Sequence, residues 1–279
     1  GGSGTVGLTA TGAGNDVILN GATGSTTGNI TVNADRNIAI NTGGDITTAG
    51  NVTLNAAQGG STGTITESGT GKVLTAALLT TVSDGGQTLS NANTVASFNA
   101  TNTTGGAISL TNTAGTLTVT KIAQNGTAAG SDISVNNTGN LTTSTNPIAT
   151  TAGANGNISL TATNGTLTVG NTVTAGGSGT VGLTATGATA DVLVNATVSS
   201  TTGALTVSAG HDVVLNAGSL TTGGNVTLNS AQTAATGVIN EAGAGTIGGA
   251  LLTTNSKGGT TLGNNNTVSS FNATNATSG

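Results

Sequence analysis

The stretch Thr5–Thr11 reads TVGLTAT, in which apolar residues alternate with threonine and glycine. Val6, Leu8 and Ala10 fall on one side of an extended chain, and the residues between them fall on the other. The same period-two alternation recurs at Ile30 and Val32, at Ile38 and Ile40, and at Val52 and Leu54. This alternation, rich in β-branched residues, predicts β-strands. Only Leu74–Val82 has a spacing that would also suit a helix, so the sequence predicts an all-β protein.

A short motif repeats along the chain: a glycine or another small residue, one residue of any type, then Ile, Val or Leu. The first apolar residues of its copies are Val6, Ile30, Val52, Ile108, Ile133, Ile158, Val181, Leu205 and Val226. The spacing is regular except between Val52 and Ile108, where a wider gap fits two longer coils within Thr64–Thr104. Units of about 21–25 residues with two or three short strands predict the rungs of a parallel β-helix, or β-solenoid.

Stacking explains how such short units would form a core. One rung cannot bury its apolar side alone, but rungs about 4.8 Å apart pair every strand and share one interior. Glycine, Asn and Asp suit the tight corners, and stacked Asn side chains can satisfy the polar backbone groups there. About twelve rungs would give a rod roughly 55–60 Å long.

A longer repeat contains the short one. Gly1–Gly12, GGSGTVGLTATG, recurs unchanged as Gly176–Gly187, and GNVTLN at Gly50–Asn55 recurs at Gly224–Asn229. We therefore expect one continuous β-helical segment over residues 1–279, with a long repeat at 1–175 and a partial second copy at 176–279. Because the chain begins without Met and ends within a repeat, we expect it to be an excerpt of a longer protein.

Composition excludes several classes of protein. Charged residues make up 5% of the chain, the net charge is -5, and Lys and Arg together number only four, which disfavours nucleic-acid binding. The absence of cysteine excludes disulfide scaffolds and cysteine zinc sites. No apolar run is long enough for a transmembrane helix. A mean hydropathy of +0.14 and the regular alternation argue against disorder.

The block GTITESGTGKVLTAALLTTVSDGGQTLSNANTVASFNATNTTGGAISL (Gly63–Leu110) and the following GTLTV (Gly115–Val119) resemble the repeats of filamentous-haemagglutinin-like exoproteins. The resemblance implies a right-handed parallel β-helix that forms a long fibre on the outside of a Gram-negative cell. It also implies export by two-partner secretion through an outer-membrane transporter. The secretion domain of that family carries Asn-Pro motifs. Here Asn146-Pro147-Ile148 lies inside a repeat, so we do not expect that domain in this segment.

One stretch partly matches a calcium-binding nonapeptide. Thr11–Leu19, TGAGNDVIL, places Asp16 where that motif has its acid. The motif needs tandem copies, and the equivalent stretch Thr186–Val194 keeps Asp191 but loses the counterparts of Gly14 and Asn15. We therefore favour a corner Asp16 that caps its own turn.

The acidic residues are spread along the chain: Asp16, Asp35, Asp45, Asp84, Asp132, Asp191, Asp212, Glu67 and Glu241. Asp35-Arg36 and His211-Asp212 occupy equivalent positions of the long repeat, which predicts a shared surface corner. Glu67 and Glu241 are also equivalent, but about seven rungs would separate them, too far for paired carboxylate chemistry. We expect no catalytic, cofactor-binding or metal-binding residues, and no enzymatic activity.

Outward threonines form T-x-T pairs on several predicted strands: Thr9 and Thr11, Thr116 and Thr118, Thr166 and Thr168, and Thr184 and Thr186. Flat T-x-T arrays occur in some ice-binding solenoids, but these pairs are intermittent and Thr is a common β-former. The N-x-S/T triplets, such as those at Asn29 and Asn225, follow from composition. Lys72, Lys121 and Lys257 are expected in solvent.

The sequence thus predicts the structural shaft of a secreted bacterial cell-surface adhesin fibre, which presents adhesive regions for attachment or cell–cell contact. Its expected partners are other copies of itself, the outer-membrane transporter, and a host or neighbouring-cell surface or polysaccharide, with no nucleic acid and no membrane insertion. The alternative is a self-assembling extracellular filament or sheath subunit, for which low charge leaves little repulsion. Ice-binding and carbohydrate-active β-helices are further alternatives.

Overall fold

The computed structural model describes residues 2–57, 62–75 and 77–277. These residues form parallel strands and no helix, and the strands stack on three sides into a β-solenoid. The predicted all-β fold and parallel β-helix are therefore confirmed. The described residues do not include Gly1 of the first repeated block, residues 58–61, Ala76 or the last two residues of the predicted segment.

Each side of the solenoid is a column of hydrogen-bonded strands, which we name A, B and C in the order in which the chain first meets them. In column A, Ile30 pairs with Val6 and with Val52. The column contains Val6–Ala10, Ile30–Ala34, Val52–Asn55, Leu78–Ser83, Ser97–Asn102, the last part of Ile108–Gln124, Ile148–Thr150, Val173–Ala175, Val198–Ser200, Leu220–Thr221, and the first parts of Ile247–Ser256 and Thr267–Asn275.

Column B, like column A, is an unbroken series of pairings along the rod. It contains Val17–Leu19, Ile38–Ile40, Ile65–Glu67, Gln87–Asn93, the first parts of Ile108–Gln124 and Ile133–Thr143, Ile158–Thr163, Val181–Thr186, Leu205–Ala209, Val226–Asn229, and the last parts of Ile247–Ser256 and Thr267–Asn275. The pairings define twelve successive levels, the number of rungs expected from the sequence.

Column C is less regular in the first half of the chain. It contains Thr23–Gly24, Ile46–Thr48, Val73–Thr75, the middle of Ile108–Gln124, the last part of Ile133–Thr143, Leu167–Val169, Val192–Val194, Val213–Leu215, Ile239–Glu241 and Thr260–Thr261. Between Val73–Thr75 and Ile108–Gln124 the contact along this side is an isolated bridge from Leu74 to Thr94. Leu74–Val82, the stretch with ambiguous spacing, contains strand residues in columns C and A.

The length of one turn varies more than the motif spacing predicts. Leu79 pairs with Phe98 after an unusually short turn, whereas Val52 pairs with Leu79 after an unusually long one. In the short turn, only residues 84–86 separate the strands Leu78–Ser83 and Gln87–Asn93, so a short corner accounts for part of the difference. The predicted range of about 21–25 residues per turn describes the typical turn, but the shortest turn has fewer residues and the longest has more.

The wide gap in the short motif, between Val52 and Ile108, does not contain two long coils. Val52 lies in column A, and its partners on successive turns are Leu79 and then Phe98. Ile108 lies in column B, opposite Gln87. The gap therefore holds one long turn, one short turn and one further side, and the motif moves from column A to column B across it.

The interior is lined by aliphatic residues that point inward from all three columns. Ile30, Leu54, Leu117 and Ile148 are fully buried, and Phe98 is the one aromatic residue of the core. Between residues 81 and 143 the inward positions also include polar side chains, namely Thr81, Ser83, Gln87, Asn93, Asn102, Asn112, Gln124, Asn137 and Thr143. These side chains bond one another and the backbone, so the irregular central turns have a polar interior.

The glycine of the short motif lies at a corner where successive turns approach closely. A Cβ atom on Gly203 would lie 2.0 Å from the carbonyl oxygen of Gly179, one turn earlier. At the equivalent corner of the first copy, a Cβ on Gly28 would lie 2.2 Å from the carbonyl oxygen of Gly4. No side chain fits at that distance, which explains why the motif begins with glycine.

The predicted asparagine ladders are present on the outer surface. The side-chain amide of Asn55 donates to Asn33 Oδ1 at 2.8 Å, and that of Asn255 donates to Asn229 Oδ1 at 2.8 Å. Each bond joins two successive turns. The ladders therefore tie turns together on the outside while the aliphatic residues pack inside.

Candidate functional site

Several acidic and amide side chains at the corners have a common role, because they accept a backbone N–H from the next turn. Asp16 Oδ1 accepts the N–H of Asn37 at 3.0 Å, and Asn37 Oδ1 accepts the N–H of Thr64 at 2.9 Å. The sequence-based expectation that Asp16 caps its own turn is wrong in this detail. The groups that need a partner are those of the following turn, because each strand begins directly above the corner of the turn before it.

The first-copy corner also holds a cation. Arg36 Nε and one terminal nitrogen donate to the two oxygens of Asp16 at 2.8 and 2.7 Å. This guanidinium, helped by the N–H of Asn37, lowers the pKa of the Asp16 carboxyl to about 2. The carboxylate that the calcium nonapeptide would use is thus bound to an arginine of the same chain, which favours the corner role over calcium.

The second-copy corner has the same backbone and different chemistry. His211 Nδ1 lies 2.9 Å from Asp191 Oδ1 and 3.3 Å from Asp212 Oδ2. The N–H of Asp212 donates to Asp191 Oδ1 at 3.0 Å, and Asp212 Oδ1 accepts the N–H of Val238 at 2.7 Å. Asp191, His211 and Asp212 stand in the places of Asp16, Arg36 and Asn37. The expected match of Asp35-Arg36 with His211-Asp212 is therefore off by one residue, and the counterpart of Asp35 is Gly210.

Within the described ranges, Asp191, His211 and Asp212 are the one group of three metal-ligating side chains whose ligand atoms lie within 4.8 Å of one another. The sequence analysis names all three residues, but it expects only His211 and Asp212 to share a corner. The overlooked signal is that Asp191 precedes His211 by 20 residues, about one turn. The same spacing separates Asp16 from Arg36.

Glu67 and Glu241 occupy equivalent inward-facing positions and are not close to each other. Glu67 Oε2 accepts the N–H of Asn91 at 2.9 Å, and Glu241 Oε2 accepts the N–H of Asn264 at 2.8 Å. In both side chains Oε1 is buried without a hydrogen-bond partner. Seven levels, on the order of 34 Å, separate the two carboxyls, which rules out shared acid–base chemistry.

Burial governs the acidity of the first of these glutamates. Loss of water around the carboxyl raises the pKa of Glu67 from 4.5 to about 7, against the opposing effect of the Asn91 N–H and the Asn93 side chain. Glu67 is 7% exposed and has no cation bonded to it among the described residues. It is a buried acid at a structural position.

Two other corner acids follow the rule set by Asp16. Asp45 Oδ1 accepts the N–H of Lys72 at 3.2 Å, and Asp132 Oδ1 accepts the N–H of Asn157 at 2.7 Å. Two further acids join turns in other ways: Asp84 accepts the side-chain hydroxyl of Thr103 in the following turn, and Asp35 accepts the N–H of Gly12 in the preceding turn. These acids are spread over the solenoid as separate caps.

The T-x-T pairs do not share one face. Thr9 is in column A, Thr184 in column B and Thr168 in column C. Because Thr9 and Thr184 are equivalent in the long repeat, this separation is built into the way the repeat winds. A flat threonine array of the ice-binding kind would need these pairs in one column.

The lysines are less free than expected. Lys72, Lys121 and Lys257 are all partly buried rather than fully in solvent. Lys257 Nζ donates to the carbonyl of Ala234 at 2.9 Å, one turn earlier. Lys257 therefore departs from the expected solvated lysine, because its ammonium group is bonded to the backbone of the preceding turn.

Two surface cavities near the last described turns have uncharged walls. One, of about 590 Å³, is lined mainly by threonine and glycine, including Thr221, Thr246 and Gly249. The other, of about 380 Å³, is lined by residues that include Leu262 and Phe271. Neither wall contains a titratable side chain, so neither cavity has the groups for acid–base chemistry.

No protein-family model matches the chain, and neither a curated protein nor a solved structure is significantly similar to it. In the described part of the chain, no helix has the length and apolar character needed to cross a membrane. The resemblance to filamentous-haemagglutinin-like repeats therefore stays a prediction from the sequence.

Proposed function

We propose that this chain is part of the structural shaft of a secreted fibre on a bacterial cell surface, which holds adhesive regions away from the cell. The observation that carries the proposal is the unbroken pairing of column B from Val17–Leu19 to Thr267–Asn275. Every level of that column bonds to the next through its backbone, and the corner acids other than Asp191 and Asp212 act as separate caps on different turns.

A shaft must keep its shape as conditions change, and the bonding pattern is suited to this. Successive turns are joined by backbone ladders, by corner caps such as Asp132 to Asn157, and by asparagine ladders. With charged residues at 5% of the chain, few interactions depend on salt. Twelve levels give a rod about 55–60 Å long. Location outside the cell and export through an outer-membrane transporter rest on the sequence resemblance.

Cryo-electron microscopy of native fibres, identified with an antibody against the purified chain, tests the shaft directly. We expect one polypeptide that continues through the solenoid levels on both sides of this segment. Regular subunit boundaries with a helical lattice would contradict the shaft. Binding of the purified rod to glycans or cells would show that the segment is itself adhesive.

A self-assembling filament is the second candidate, and the low charge of the chain favours it. Charged residues make up 5% of the chain, so little electrostatic repulsion opposes association of one rod with another. Light scattering over a range of protein concentrations separates the candidates: a filament subunit elongates end to end as concentration rises, whereas a shaft segment with a folded solenoid stays monomeric.

The enzymatic alternative has less support. A carbohydrate-active β-helix needs two carboxyls about 5–10 Å apart, and Glu67 and Glu241 are many turns apart. Asp191 and Asp212 are close together, but both are engaged by His211 and by backbone N–H groups. The non-enzymatic role is part of the proposal. Incubation of the purified chain with a panel of polysaccharides tests it. Release of reducing ends that is lost when Glu67 or Asp191 is substituted would overturn it.

A further inference from the structure

We propose that Asp191, His211 and Asp212 bind a divalent transition-metal ion of the Zn²⁺ type. The proposal concerns one corner of the solenoid and does not depend on the shaft function. It departs from the sequence-based expectation that the chain has no metal ligands. Three observations support it: the geometry of the donor atoms, the charge of the corner, and the cation held by the equivalent corner in the first copy.

The donor atoms lie at separations that suit one ion. Ligand atoms about 2.1 Å from a metal lie about 3.0–3.4 Å from one another in tetrahedral and octahedral sites. His211 Nδ1 is 2.9 Å from Asp191 Oδ1 and 3.3 Å from Asp212 Oδ2. Small side-chain rotations would bring all three atoms within bonding distance of one ion.

The backbone holds the two carboxylates in place before any ion arrives. Asp191 Oδ1 accepts the N–H of Asp212, and Asp212 Oδ1 accepts the N–H of Val238. The strands Val192–Val194 and Val213–Leu215 begin directly after the two acids and have buried inward residues. The ligands therefore come from two successive turns of a rigid wall, and the donor set needs little ordering on binding.

The equivalent corner of the first copy already holds a cation. There Arg36 donates two hydrogen bonds to Asp16, at 2.8 and 2.7 Å, and the third position is the neutral Asn37. In the second copy a histidine replaces the arginine and an aspartate replaces the asparagine. Gly210 stands where the first copy has Asp35, so both corners carry two carboxylates, but the second has lost the permanent positive charge of the arginine. A bound divalent cation would supply positive charge in its place.

The donor set selects the class of ion. Imidazole nitrogen suits Zn²⁺, Ni²⁺ and Cu²⁺, whereas Ca²⁺ and Mg²⁺ take oxygen ligands. The side chains of His211, Asp191 and Asp212 are 36%, 30% and 23% exposed, so water can reach the ion and complete its coordination. We therefore expect reversible binding of Zn²⁺, with much weaker binding of Ca²⁺.

Isothermal titration of the tag-free chain with ZnCl₂ in a non-chelating buffer at neutral pH tests the proposal. We expect one ion per chain and micromolar affinity. His211 is the only histidine, so Zn²⁺ should shift the single set of imidazole signals in a ¹H–¹⁵N NMR spectrum. Absence of binding, or binding that leaves these signals unchanged, would overturn the proposal.

The first copy provides matched variants. H211R/D212N recreates the first-copy corner and should fold as the parent does by circular dichroism while losing the ion. The reciprocal R36H/N37D recreates the second-copy corner and should raise the stoichiometry from one ion to two. Unchanged zinc binding in folded H211R/D212N, or an unchanged stoichiometry in folded R36H/N37D, would show that these three side chains do not form the site.

Discussion

Val6 and Val181 occupy identical positions in the long repeat but lie on different sides of the solenoid. Val6 pairs with Ile30 in column A, whereas Val181 pairs with Ile158 and Leu205 in column B. Column A passes through seven turns between Val6 and Val173. Val181 then begins the next side, so the repeat spans seven turns and one further side.

This winding rotates each copy of the repeat by one side, roughly a third of a turn. Equivalent features therefore point in different directions: the Arg36 corner lies before a column B strand, and the His211 corner lies before a column C strand. A surface feature that recurs once per repeat would form a slow spiral around the rod. Repetition in the sequence thus does not produce a repeated face.

Phe98 and Phe271 provide a first test of the packing, since both lie in the same SFNATN sequence. Phe98 is fully buried between Leu79 and Val119, its partners in the neighbouring turns, while Phe271 is 56% exposed. Phe98→Ala should lower the free energy of unfolding by about 3–5 kcal/mol. Phe271→Ala is the control and should change it by less than about 1 kcal/mol. Equal losses in urea titrations would contradict this burial.

The polar interior makes a second prediction. Asn102 is fully buried; its amide donates to Gly105 O at 2.8 Å and to Gln124 Oε1 at 2.9 Å, and its oxygen accepts the N–H of Gly86 at 2.9 Å. Asn102→Leu would remove the partner of the Gly86 N–H and of the Gly105 carbonyl, at about 1–3 kcal/mol for each, while Gln124 Oε1 keeps its bond from the N–H of Gly126. Urea titration of the variant and the parent measures the loss.

The control for Asn102→Leu is Asn99→Ala, which changes an outward residue of the same strand. It should alter the free energy of unfolding by about 0.5 kcal/mol or less. If Asn102→Leu is tolerated as well as Asn99→Ala, the central interior is not held by this network.

Glu67 predicts how stability changes with pH. Its folded-state pKa of about 7 lies above the ordinary 4.5, so the folded chain binds the proton more tightly than the unfolded chain. The free energy of unfolding should therefore rise as pH falls from about 7 toward about 4.5, by up to about 3 kcal/mol. Glu67→Gln should remove this dependence and stabilise the protein at pH 8. Parallel pH profiles for the two proteins would contradict the assignment.

Much of this architecture could be predicted from local pattern. Alternation as in TVGLTAT predicts strands, and the glycine before each apolar pair predicts corners. The same alternation, followed further, would also have found the buried polar residues. Glu67 lies two positions after Ile65, and Asn102 lies two positions after Ala100, on the same inward side.

The assignment of strands to columns could not be predicted in this way. All three sides present the same inward aliphatic pattern, so nothing in Val52 or Ile108 indicates its column. The column depends on how many residues each corner absorbs, and that is decided by packing between turns. The contact of Asp191 with His211 also depends on the number of residues in one particular turn, here 20.

Disulfide mapping in the central turns tests the winding most directly, because the chain has no cysteine of its own. Thr80 and Asn99 are paired in adjacent turns of column A, whereas Ser109 lies in column B opposite Thr88. T80C/N99C should form a disulfide on mild oxidation, since parallel neighbours lie about 4.8 Å apart. T80C/S109C should remain reduced. A disulfide in T80C/S109C and none in T80C/N99C would mean two long coils between Val52 and Ile108, and would contradict the rotation of the repeat.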